Sequence, residues 1–111
     1  MTGHPVVTSI DALAPDLLAE ARDHGSRRAA RTLVSGNSQR ATLIALADGA
    51  ELAEHDSPPA ATLYVVSGTV RLHSHSAEWI LERGQLATIP PERHGLTALG
   101  DAVVLLTVAL R

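Results

Sequence analysis

The chain has 111 residues, a net charge of −3 at pH 7, six histidines and no cysteine. That length holds one domain. Without cysteine there is no disulfide, thiolate nucleophile or thiolate metal site, and the acidic balance lacks the clustered basic face that nucleic acid demands.

Hydrophobic residues make up 45% of the sequence, but with no Phe, one Trp and one Tyr the core has to be built from Val, Leu, Ile and Ala. No apolar run approaches the ~20 residues of a membrane span. Residues 1–10 show no basic region leading into an apolar stretch, so no secretory signal is read there and a soluble cytoplasmic protein is expected.

In chain order, Ala14-Pro15-Asp16 reads as a helix start, with Pro in the first turn and an acid beside it. Leu17, Leu18 and Ala21 follow at helical spacing and Gly25 supplies a stop. One short amphipathic helix over residues 15–24 is expected, in an N-terminal arm covering residues 1–28.

From Ala29 the texture is β. Residues 31–34 read as a strand ended by Ser35-Gly36-Asn37-Ser38. Residues 39–47 alternate, with Thr42, Ile44 and Leu46 on one face and Ala41, Leu43 and Ala45 on the other. Further strands are expected over 62–66, 69–73, 79–81, 86–89 and 102–110, with Gly or Pro at nearly every boundary. Short strands at this spacing indicate a sandwich or barrel over residues 29–111. The last strand is apolar on both faces, which calls for a second covering layer, either the N-terminal segment or another subunit.

Two segments carry a resemblance. Gly49 to Gly68 reads GAELAEHDSPPAATLYVVSG, and Gly84 to His94 reads GQLATIPPERH. They resemble the first and second sequence motifs of the cupin superfamily, and the resemblance covers about residues 41–110. It implies an all-β antiparallel double-stranded β-helix, a jelly-roll-like barrel, here preceded by the short helix. In cupins, two histidines of a His-x-His on one strand, a Glu from the next strand and a His from the second motif hold a metal inside the barrel. Such donors suit a divalent transition metal.

This chain keeps part of that set. His55 stands at the first His position, Ser57 at the second and Ala61 at the Glu position. The second-motif His falls at Gly95, with His94 one residue early. A one-residue offset on a strand turns a side chain to the other face. Two imidazoles fall short of the three protein ligands usual for a catalytic zinc. His73-Ser74-His75 has metal-like spacing. However, Val70 and Leu72 are expected to face inward, which sends His73 and His75 to the other face.

The resulting expectation is a cupin-type small-molecule binding protein, without a tight metal site. Its pocket is lined by His55, Ser57, Leu63, Val65, Val70, Leu72 and His94. The alternative is an enzyme: a dioxygenase, isomerase or cyclase with a divalent transition metal on His55 and His94, or a metal-free one with His55 as general base. A third possibility is a structural domain with a filled barrel. The partners expected are an unidentified small molecule and a second copy in a homodimer, with neither nucleic acid nor membrane.

Overall fold

A computed structural model describes residues 6–55 and 60–110 of the chain, the side chains of Glu54 and His55 excepted. The elements run α1 (Ile10–Asp23), β1 (Arg28–Ser35), β2 (Gln39–Leu46), β3 (Glu51–His55), β4 (Ala61–Ser67), β5 (Thr69–Ser74), β6 (Glu78–Glu82), β7 (Leu86–Thr88), β8 (His94–Ala98) and β9 (Ala102–Ala109). They form two sheets, a five-stranded one ordered β1-β2-β9-β4-β7 and a four-stranded one ordered β3-β8-β5-β6. Every strand pairing is antiparallel.

The period-two pattern decides what lies between the sheets. Ile44 and Leu46 of β2, Leu63 and Val65 of β4, and Val104 of β9 point inward from the larger sheet. Val70 and Leu72 of β5 and Leu96 of β8 meet them from the smaller one. The opposite set on the larger sheet, Leu43, Ala45 and Val103, is sealed by Ala14, Leu17 and Ala21 of α1. Burying Leu17 alone, 1% exposed, is worth about 1.5–3 kcal/mol. The two-faced apolarity of β9 is thereby explained over its first residues, with the barrel interior on one side and the helix on the other.

The helix begins at Ile10, so the expected start at Pro15 is corrected: Pro15 lies inside it. The stripe Ile10, Ala14, Leu17, Ala21 recurs at helical spacing from ahead of the proline. Burial of that stripe outweighs one lost backbone hydrogen bond. The expected strands all form. β3 and β8, not anticipated as strands, complete the smaller sheet.

Two turns fix how the layers meet. Gly68, between β4 and β5, has φ +78°. A Cβ there would overlap the Asp101 carbonyl oxygen and stand 2.8 Å from the Cα of Ala102. Asp101 itself ties α1 to the barrel. Its carboxylate accepts from Arg22 Nε at 2.8 Å and from the Asp48 backbone N–H at 2.9 Å. The hydrogen bond from Arg22, then that from Asp48, holds the Asp101 carboxyl below the ordinary carboxylate range.

Candidate functional site

β8 carries the chemistry. His94, Leu96 and Ala98 alternate inward along it, and His94 is 5% exposed, the buried polar residue among those described. The offset from the second motif therefore does not turn the ring outward. The motif alignment that sets a His at position 95 is corrected by one residue. At Gly95 a Cβ would stand 2.7 Å from Cε1 of His73 and 3.0 Å from the Leu52 carbonyl oxygen, so no larger residue fits there without displacing its neighbours. His73 pairs with Gly95 and sits on the outer face of the smaller sheet, because its neighbour Leu72 faces in.

The His94 ring is held by a backbone group. Nδ1 lies 3.0 Å from the Glu92 carbonyl oxygen. A carbonyl only accepts, so Nδ1 carries the proton and in the neutral ring Nε2 carries the lone pair. The Glu92 carboxylate in turn accepts from the Ser76 hydroxyl at 2.8 Å, pinning the loop ahead of β8 to the β5–β6 hairpin. Hydrogen bonds from Ser74 first and Ser76 next lower the Glu92 pKa.

Around His94 the walls are apolar. Leu52, Leu63, Leu72, Ile89, Leu96 and Leu106 surround a space of about 20 Å³, room for one water molecule. Of the pocket expected from the sequence, Leu63, Leu72 and His94 line this space. Val65 and Val70 are fully buried one layer deeper in the core. Ser57 and the side chain of His55 lie outside the described residues, as does His4. The backbone register sets position 55 opposite His94 across the β3–β8 ladder. His75 is exposed in the hairpin after β5, and His24 is exposed beside Ser26.

Leu52, Ile89, Leu96 and Leu106 were absent from the sequence-based pocket. The alternation His94, Leu96, Ala98 was the signal for β8 and its facing. As for a metal, no group of three or more His, Asp or Glu among the described residues is placed to hold an ion. The carboxylate position of the cupin motif is Ala61. Among the described residues His94 is the one imidazole lining this space, and the side chain of His55 lies outside them.

No protein-family model matches the chain, and no curated protein matches it. Solved structures do. A conserved protein of unknown function from Streptococcus pyogenes is 26% identical, with a TM-score of 0.72 over 79% of this chain and 78% of that one. An RmlC-like cupin from Desulfovibrio desulfuricans is 19% identical, with a TM-score of 0.71 over 99% and 97%. A structure described as a DMSP lyase is 25% identical, with a TM-score of 0.66, and matches 75% of this chain but 47% of its own.

Proposed function

The chain has the cupin fold, and from that premise we propose that it binds a small molecule through His94 without a resident metal. One observation carries the reading: the His94 imidazole, buried among leucines and an isoleucine, is oriented by a backbone carbonyl that holds the proton on Nδ1. Apolar walls with one placed polar group describe a ligand site. A polar group of the ligand would enter the space beside the ring, which admits one water. Its body would extend to the end of the barrel where β3 and β5 finish and β8 begins.

The test is an NMR fragment screen on untagged protein prepared without added metal, with elemental analysis of the same sample. Saturable shifts of the His94 ring with substoichiometric metal support the proposal. Hits that leave His94 unmoved count against it.

A second reading, a metal-dependent cupin enzyme using His55 and His94, draws support from the opposed register of those positions. It also draws on the Nδ1–H bond to a carbonyl, which metal-bound histidines commonly make. Stoichiometric metal in the same analysis would favour it.

The proposal includes a homodimer. Helix α1 covers the β1, β2 and β9 part of the larger sheet's outer face. Leu105 packs against the helix cluster, and beyond it Tyr64, 39% exposed, is left with the Thr107–Thr62 pair on the β9 and β4 part. Those residues carry no charge, so a two-fold contact would set no like charges against each other.

A further inference from the structure

The two sheets are joined at one end by the β6–β7 turn. β6 is the edge of the smaller sheet and β7 the edge of the larger, so the barrel stays open along this side. Trp79 of β6 pairs with Leu72 of β5 and therefore projects to the inner face. Leu72, Trp79 and Leu81 make one wall of the resulting cleft. Leu86, Ala87 and Thr88 make the other, and Pro90 stands at its end. The volume is about 480 Å³.

We propose that this cleft is a second binding site, for a flat, uncharged, mainly apolar small molecule that packs against Trp79. The size lies within the range of about 300–1,000 Å³ typical of small-molecule pockets. The cleft closes at the turn, where the Gln85 N–H donates to the Glu82 carbonyl at 3.0 Å and the Glu82 N–H to the Gln85 side chain at 2.8 Å.

The lining excludes ions, because none of its seven side chains is charged and Thr88 brings the one hydroxyl. The polar complement comes from the backbone. Strand edges leave N–H and C=O groups without a neighbouring strand, so a ring substituent has donors and acceptors within reach. Leu72 lines both this cleft and the small space at His94. It is thus a partition between two compartments, and the cleft does not depend on His94 for its character.

Indole serves as probe, with glucose and benzoate as polar and charged comparators, read by NMR on the full chain. Trp79 is the one tryptophan in the sequence, so its ring N–H resonance is unambiguous. Saturable shifts at Trp79, Leu81 and Leu86 with indole are expected, and none with glucose or benzoate. Trp79→Ala is expected to weaken indole binding about tenfold and Trp79→Phe to restore most of it, since an aromatic pair is worth about 0.5–1.5 kcal/mol beyond area burial. Trp79 is 41% exposed on an edge strand, so both variants should keep the wild-type spectrum elsewhere.

His94→Leu is expected to leave indole binding unchanged, which separates this site from the one at His94. The proposal is overturned if indole gives no saturable shift up to its solubility limit. Shifts centred on Tyr64 and Leu105, or benzoate binding as well as indole, would overturn it equally.

Discussion

Replacing His94 separates a residue kept for binding from one kept for packing. His94→Leu exchanges the ring for an apolar side chain of nearly the same volume, among Leu52, Leu63, Leu72, Leu96 and Leu106. It removes one hydrogen bond to the Glu92 carbonyl, worth about 1 kcal/mol. It also removes the burden of keeping a polar ring out of water, which is of comparable size and opposite sign. The net change expected is within about 1 kcal/mol of zero. His94→Ala behaves differently. It opens roughly 65 Å³ beside the existing space, which at ~24 cal/mol per Å³ costs about 1.6 kcal/mol. The lost hydrogen bond and the relieved polar burial offset each other as before, so the total stays at about 1.6 kcal/mol, the cavity cost alone. Urea unfolding of the three proteins under one buffer reads both numbers. If His94→Leu is destabilised as much as His94→Ala, the imidazole is a structural element and the reasoning fails.

Gly68→Ala should destabilise by about 3 kcal/mol or more, because it combines a positive φ with overlap against the Asp101 and Ala102 backbone; a thermal shift within error of wild type would contradict that close approach. Asp101→Asn should cost about 1 kcal/mol at neutral pH, from the weakened bonds to Arg22 and Asp48. Because the folded Asp101 pKa is lowered, its contribution is complete above the ordinary carboxylate value and fades as pH falls through the folded one. The gap between wild type and Asp101→Asn in urea should therefore close in acid, and a gap that widens there would refute the assignment. Sedimentation at micromolar concentration should show a dimer, with Tyr64→Asp shifting it to monomer; a wild-type monomer would remove the case for the outer face as an interface.

Much of this architecture is visible before any coordinates. Gly and Pro mark the strand ends, and the last strand, apolar on both faces, calls for the covering layer that α1 supplies over its first residues. The helix start was obscured because Pro15 is a strong local signal, while the stripe that overrides it needs the partner surface of Leu43 and Val103 to have meaning. β3 and β8 escaped because a charged or polar residue interrupts each apolar pattern: Glu51 and Glu54 in one, His94 and Thr97 in the other. Their pairing is supplied by neighbouring strands and not by local propensity.

The site was half legible. His94 could be named from the motif, but its facing depends on the ladder with β5, in which Ser74 stands opposite it. The narrowness of the space follows from Leu52, Leu96 and Leu106 converging from three strands, and no single segment encodes that. The Trp79 cleft arises from two unpaired sheet edges, a property of topology alone.

Titration calorimetry reads whether His94 is the polar anchor of a small-molecule site. The strongest hit of the fragment screen is titrated into wild type and into His94→Leu. Both proteins should fold equally well, and the variant should lose at least about tenfold in affinity, the worth of one hydrogen bond at roughly 1.4 kcal/mol. Equal affinity for both proteins would contradict it.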